Sequence, residues 1–124
     1  MESITPNIFV KDMRQAIAFY QKLGFEVVVT VPDQGEPLWA MMSCGAVGIM
    51  FQTIDSLGNE LPEVARTKGG SLLLYIKIKG IQTFFHKISS EVKVLKGLEK
   101  TFYGATEFSI LDNNGYVLTF AEDI

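Results

Sequence analysis

A carboxylate with two candidate chemical roles stands in the C-terminal half of this 124-residue chain. Side chains alternate between the two faces of a strand, so a strand at 107–111 places Glu107 and Ser109 on one face and Phe108 and Ile110 on the other. If the apolar pair packs under a helix, Glu107 points to the opposite face. There it can act as a general base or as the counter-charge of a cationic ligand. The ordinary alternative is a solvated carboxylate at a strand edge.

Aromatic and basic residues that could contact a ligand occur in the same half of the chain. Tyr75 and Lys77 fall in a predicted core strand, where packing alone does not explain them well. Phe102 and Tyr103 precede Gly104, and adjacent aromatic rings can stack on a planar ligand. For all four residues, simple packing is the alternative.

The chain contains one histidine and one cysteine, which limits other chemistry. Cys44 is expected in a hairpin of the first half and His86 on a helix of the second half, so we expect both to be structural rather than a catalytic pair. A metal site of two histidines and a carboxylate is excluded because it needs a second histidine.

Periodicity predicts the elements that must position these residues. Asp12 can cap a helix whose apolar stripe runs from Met13 to Leu23, and Gly24 is typical of a helix end. A second helix is predicted from Ile81 to Ile88. Around the two helices the pattern predicts strands at 4–10, 25–31, 38–43 and 47–53, and then at 71–78, 92–95, 107–111 and 116–121.

The predicted elements form the order βαβββ twice. The segment 10–13 matches 78–81 and the segment 48–51 matches 117–120, so the two shifts, 68 and 69 residues, are nearly equal. Such offsets are typical of a duplicated unit. We therefore predict a first module at 1–54, a linker at 55–70 with a helical turn near 62–66, and a second module at 71–124, all within one compact domain.

Composition excludes several function classes. Hydrophobic residues make up 48% and charged residues 20% of the chain, which is typical of a globular domain. The net charge of −3 with scattered lysines and arginines argues against nucleic acid as a partner, and the apolar runs are too short to span a membrane. A single cysteine cannot form an internal disulfide and no signal peptide is recognisable, so we expect a cytoplasmic protein.

The chain resembles the vicinal oxygen chelate superfamily, which includes glyoxalase I, extradiol dioxygenases and bleomycin-resistance proteins. The resemblance covers nearly the whole sequence and is closest to the bleomycin-resistance-like branch. It rests on the order and spacing of several short stretches: Thr5-Pro6-Asn7, Val10 to Met13, Ala18-Phe19-Tyr20 followed by Leu23-Gly24-Phe25, Tyr103-Gly104 leading into Glu107-Phe108, and Asp112 to Gly115.

This resemblance implies an α+β fold in which two βαβββ half-modules form a curved mixed sheet with a concave cavity, and a homodimer. In metal-dependent members, ligands stand at positions that correspond here to Thr5, Met50, Leu73 and Thr119. Catalytic divalent ions need histidine or carboxylate ligands, which these four residues do not supply. We therefore expect no metal and no other cofactor.

With strand alternation, the resemblance also implies which residues line the cavity. The predicted ligand-binding residues are Asn7, Phe9, Met50, Tyr75, Lys77, Phe102, Tyr103, Glu107 and Thr119. Trp39 is assigned to the core under a helix, because the repeat alignment sets it opposite Phe108, although it could also line the cavity.

The function implied is that of a metal-free binding protein of the bleomycin-resistance type, which sequesters an aromatic or amphipathic drug or metabolite. One alternative is a glyoxalase-like lyase or dioxygenase-type enzyme that uses an atypical metal site or Glu107 as general base. Another is a structural or regulatory subunit with an empty cavity.

Overall fold

The computed structural model describes residues 1–67 and 69–124, which divide into two compact units, Met1–Lys68 (unit 1) and Gly69–Ile124 (unit 2). Unit 1 comprises strand β1 (Asn7–Val10), helix α1 (Met13–Lys22), strands β2 (Glu26–Val31), β3 (Trp39–Cys44) and β4 (Val47–Thr53), and a 3-10 helix (Ile54–Leu57). Unit 2 comprises β5 (Leu73–Lys77), α2 (Ile81–Ile88), β6 (Lys93–Lys100), β7 (Ala105–Leu111) and β8 (Val117–Asp123). The α+β class and the two half-modules are confirmed.

Each unit contains one four-stranded mixed sheet, with strand orders β1-β4-β3-β2 and β5-β8-β7-β6. The first pair of each sheet is parallel and the other pairs are antiparallel. Ile8 pairs with Phe51 in unit 1 and Ile76 pairs with Phe120 in unit 2. These are the positions that the two sequence shifts relate, so the duplication extends to the register of the sheets.

In unit 1, helix α1 covers one face of the sheet. The Asp12 side chain accepts a hydrogen bond from the Gln15 backbone N–H at 3.1 Å, as the capping pattern predicts. The helix ends before Gly24, whose φ of +104° is accessible to glycine at little cost. Tyr20 is fully buried, with its ring centroid 4.7 Å from that of Phe51 on β4.

In unit 2, helix α2 packs on its sheet through aromatic rings. Phe84 lies 5.0 Å from Phe120 and Phe85 lies 4.9 Å from Phe108, measured between ring centroids. Phe108 and Phe120 are themselves stacked at 5.2 Å. The face of each sheet that lies away from its helix is called the helix-free face below.

Several predicted bounds differ from the structure. Strand β1 begins at Asn7 rather than at residue 4, because Pro6 has no N–H to donate to a sheet. Strand β6 extends to Lys100, and its polar sequence and two register shifts hide it from a pattern of apolar alternation. Near 62–66 the structure has a single hydrogen-bonded turn, in which the Val64 N–H donates to the Leu61 carbonyl at 3.0 Å, and no helix. The 3-10 helix lies earlier, at Ile54–Leu57, and the Arg66 guanidinium donates to backbone carbonyls of residues 58–64.

The predicted linker 55–70 includes residue 68, which lies outside the described residues. The module bounds 1–54 and 71–124 stay a prediction. In the part of the chain that the structure describes, neither helix is long and apolar enough to cross a membrane.

Candidate ligand-binding site

On the helix-free face of unit 2, the side chains of β5, β8 and β7 change in polarity along the strands. Strand register aligns them in three rows: the first is apolar, the second carries hydroxyl groups and the third has a charged residue at each end. The rows are Leu73–Val117–Leu111, Tyr75–Thr119–Ser109 and Lys77–Ala121–Glu107. The larger side chains of Tyr75 on β5 and Glu107 on β7 therefore stand on either side of the smaller Thr119 and Ala121 of β8.

Two tyrosines converge on Glu107. The Tyr75 hydroxyl donates to Oε2 of Glu107 at 2.5 Å, and the Tyr103 hydroxyl donates to the same oxygen at 2.6 Å. The second carboxylate oxygen, Oε1, is outside this pair of hydrogen bonds. Alternation places Glu107 and Tyr75 on one face, and the short loop before β7 brings in Tyr103.

These hydrogen bonds set the ionisation of the cluster. The donated bonds from Tyr103 and Tyr75 lower the pKa of Glu107 below its usual 4.5, and Lys96 adds a smaller effect in the same direction. In return, the bond to Glu107 raises the pKa of Tyr75 from 10.0 to about 12 and raises the pKa of Tyr103. At neutral pH the cluster therefore consists of one carboxylate and two protonated phenols.

Aromatic surface adjoins the carboxylate. Phe102 is fully exposed, and its ring packs edge-on against Tyr103 with centroids 5.1 Å apart. Tyr75 and Tyr103 are also about half exposed. Below them, the buried hydroxyls of Ser109 and Thr119 hydrogen-bond each other at 2.8 Å. These two hydroxyls thus satisfy each other, which leaves the rings and Glu107 as the surface that a ligand would meet.

Lys77 lies on the same face, but its charge is already paired. Its Nζ lies 2.9 Å from both carboxylate oxygens of Asp123, and both side chains are exposed. Strand alternation along β8 could have indicated Asp123, because it shares a face with Thr119 and Ala121, yet the predicted strand ended at residue 121. Lys96 on β6, which acts on the pKa of Glu107, was missed because β6 was predicted to end at residue 95.

The predicted residues of the first half fall on the helix-free face of unit 1. Asn7 and Phe9 alternate with the buried Ile8 and Val10, and Met50 pairs with Asn7. All three predicted residues are half-buried.

The assignment of Trp39 to the core is wrong. Ala40 and Met42 are fully buried, whereas Trp39 is half-exposed and shares the helix-free face of unit 1 with Met41. Ala40 pairs with Phe51 as Phe108 pairs with Phe120, so Ala40 is the structural counterpart of Phe108. The alignment was one residue out, and such a slip exchanges the two faces of a strand.

The four family metal positions do not offer a suitable donor set. Thr5 precedes β1, Met50 and Leu73 carry no hard donor, and Thr119 uses its hydroxyl in the bond to Ser109. Within residues 1–67 and 69–124, no group of three or more histidine, cysteine or carboxylate side chains is arranged to hold a metal ion. The side chains present do not fit the metal that the fold family implies.

The lone histidine and cysteine lie in different units. The His86 ring, through Nδ1, is hydrogen-bonded to the Gln82 carbonyl oxygen one helical turn earlier, at 2.6 Å. Cys44 is the exposed last residue of β3.

Known structures share the fold at low sequence identity, and no curated protein matches the chain. TioX from Micromonospora sp. ML1 is 15% identical with a TM-score of 0.76, covering 98% of this chain and 100% of its own. A glyoxalase/bleomycin resistance protein/dioxygenase family enzyme from Burkholderia phytofirmans PsJN is 21% identical with a TM-score of 0.76, covering 95% of each chain. A bleomycin-binding protein complexed with bleomycin is 18% identical with a TM-score of 0.70, covering 100% of both.

At these identities the structures establish the fold alone. A family model reaches further, because it matches residues 3–120, almost the whole sequence. The chain therefore belongs to the Glyoxalase/Bleomycin resistance protein/Dioxygenase superfamily.

Proposed function

We propose that this protein is a metal-free binding protein that holds an aromatic or amphipathic small molecule with a cationic group. The observation that carries the proposal is the convergence of the Tyr75 and Tyr103 hydroxyls on one oxygen of Glu107. The two bonds favour the ionised form of Glu107 by lowering its pKa, and Oε1 is the oxygen that the ligand cation contacts.

The aromatic rings supply the apolar part of the site. Phe102, Tyr103 and Tyr75 are exposed beside the carboxylate, and aromatic rings attract both flat apolar groups and cations. Small-molecule sites typically combine such apolar surface with a few polar groups that fix orientation. In this arrangement the rings provide contact area and Glu107 selects the charge.

Catalysis by Glu107 is less consistent with the same geometry. A general base works best when its pKa lies near the operating pH, and the two phenols move the pKa of Glu107 in the opposite direction. The arrangement favours a permanent counter-charge over a proton acceptor.

The biological setting is part of the proposal. Because one structural neighbour is a bleomycin-binding protein, we propose sequestration of a drug, antibiotic or related metabolite as the role. We further propose that the protein is a homodimer, which the family resemblance supports. We also propose that it is cytoplasmic, which its single unpaired cysteine supports, because a reducing compartment keeps thiols free.

A thermal-shift experiment tests the proposal. Chelator-treated protein is heated with bleomycin, with 9-aminoacridine, which is cationic at neutral pH, or with acridine, which is a neutral ring of similar shape. A ligand of the native state raises the melting temperature, so we expect a concentration-dependent rise with 9-aminoacridine and a smaller one with acridine. A protein that none of the three stabilises, or that they stabilise only after metal is added, contradicts the proposal.

A further inference from the structure

The helix-free face of unit 1 carries a second arrangement of side chains, and the six side chains that form it are uncharged. Register places Gln52 between Phe9 and Trp39 in one row. The adjacent row consists of Asn7, Met50 and Met41. The face therefore combines aromatic and thioether surface with two primary amides.

A chain of hydrogen bonds runs from this face to the 3-10 helix. The Ser56 hydroxyl donates to the Thr53 carbonyl at 2.8 Å and accepts from Nε2 of Gln52 at 3.1 Å. Oε1 of Gln52 in turn accepts from Nδ2 of Asn7 at 3.0 Å. The Thr53 carbonyl can only accept, so it fixes the direction of every bond in the chain and the orientation of both amides. The chain must therefore end at Asn7 with an acceptor, Oδ1.

That terminal acceptor lacks a donor. Among the described residues, Oδ1 of Asn7 is buried and has no hydrogen-bond partner. A buried acceptor without a donor is unfavourable, so the chain ends in a group that a ligand N–H or O–H can satisfy. Asn7 as a whole is only half-buried, and its neighbour in the row is Met50, a flexible side chain that repacks at little cost when a ligand enters.

We propose that this face binds a flat, uncharged ring that carries one N–H or O–H donor. The ring packs against Trp39 and Phe9, and the donor bonds to Oδ1 of Asn7 after Met50 moves aside. The inference goes beyond the proposed function, which concerns Glu107 on unit 2, and it does not depend on that site.

Two probes that differ by one donor test the inference. Benzimidazole has a ring N–H, and 1-methylbenzimidazole has the same ring without it; both are neutral at slightly alkaline pH. Binding is followed by ¹H–¹⁵N correlation spectra, in which the side-chain amides of Asn7 and Gln52 and the indole N–H of Trp39, the single tryptophan, report on this face. We expect these signals to shift and benzimidazole to bind about three- to tenfold more tightly, the range of one net hydrogen bond.

Two variants assign the discrimination to Asn7. Asn7→Leu removes the acceptor and should make the two probes bind equally. Asn59→Leu is the matched control, because it makes the same substitution at an exposed position outside this hydrogen-bond chain, and it should leave the preference for benzimidazole unchanged.

Three results overturn the inference: equal affinity of the two probes for the wild-type protein, no binding of either probe, or a preference that persists in Asn7→Leu. Equal affinity means that water alone satisfies Oδ1. The comparison on the wild-type protein stands even if Asn7→Leu fails to fold. Binding of 9-aminoacridine is measured in parallel, and its survival shows that only this inference has failed.

Discussion

Two phenols, Tyr103 and Tyr75, lower the pKa of Glu107 below its usual 4.5 and so strengthen its preference for the ionised form. Strand alternation is enough to place Glu107 and Tyr75 on the same face, and both were predicted as ligand-binding residues from sequence. Sequence does not show that both phenols reach one oxygen, because that depends on the β5–β8–β7 register and on the loop that carries Tyr103. Alternation alone therefore left general base and counter-charge equally open.

Removing the charge of Glu107 should change the titration of Tyr75. The bond to the carboxylate raises the pKa of Tyr75 to about 12, so this phenol stays protonated as pH rises past 10.0. In Glu107→Gln we expect the pKa of Tyr75 to fall towards 10.0, because a neutral amide stabilises the phenol less. Ultraviolet titration of tyrosinate, with Tyr75→Phe to assign the signal, measures the change. An unchanged titration contradicts the hydrogen-bonded cluster.

Trp39 shows where residue-level reasoning from sequence fails. Neighbouring residues on β3 are similar in hydrophobicity, so alternation along Trp-Ala-Met-Met-Ser-Cys is weak. The assignment then rested on an alignment between halves, where an error of one residue reverses the face. In the structure, the pairing of Trp39 with Gln52 and the burial of Ala40 and Met42 place Trp39 on the helix-free face.

The start of α2 depends on a residue far away in the sequence. Gly80, at the N-cap, has no side chain to satisfy the first backbone N–H groups, and its φ is +70°. The Glu122 carboxylate from β8 accepts from the N–H groups of Gly80 and Ile81, both at 3.0 Å. A local capping pattern could predict Asp12 for α1 but not this contact, because it forms only when β8 is in place.

Glu122→Gln should destabilise unit 2, because a neutral amide cannot reproduce two charge-assisted bonds at a helix N-terminus. The bonds to Ile81 and Gly80 lower the pKa of Glu122, so their stabilisation is present above pH 4.5 and is lost as pH falls through the folded-state value. We expect a lower melting temperature for Glu122→Gln at neutral pH and a difference that shrinks in acid. Glu91→Gln, at an exposed position, is the control. A difference that is independent of pH would contradict the charge-based explanation.

At the scale of the whole molecule, the sequence predicts the fold wherever the hydrophobic pattern is periodic or repeats between the two halves. The order βαβββ, the two helices and the hairpin strands follow from periodicity. Duplication explains why each of the two sheets contains one parallel pair at corresponding positions. Strand β6 was less predictable, because a solvent-facing edge strand rich in lysine needs no apolar alternation. The sequence predicts Tyr75, Tyr103 and Glu107 as ligand-binding residues. It does not predict that Lys77 forms an ion pair with Asp123.

Metal removal should leave ligand binding unchanged. The residues at the family metal positions supply no suitable donor set, and the proposed contacts use a carboxylate and aromatic rings alone. We expect dialysis against a chelator to alter neither the melting temperature nor the affinity for 9-aminoacridine. Elemental analysis of the purified protein provides the control. One tightly bound transition-metal ion per chain, with loss of binding on its removal, would contradict the metal-free account.

Calorimetric titration of 9-aminoacridine and acridine into wild-type protein, Glu107→Gln and Glu91→Gln tests the central claim most directly. We expect the wild type and Glu91→Gln, which both keep the Glu107 carboxylate, to bind 9-aminoacridine at one site per chain. Both should bind it at least about tenfold more tightly than Glu107→Gln does, because a charge-assisted contact is worth about 1.5–3 kcal/mol. Acridine should bind all three proteins with the same weak affinity. If Glu107→Gln binds 9-aminoacridine as tightly as the wild type, the Tyr75–Glu107–Tyr103 cluster is not the binding site.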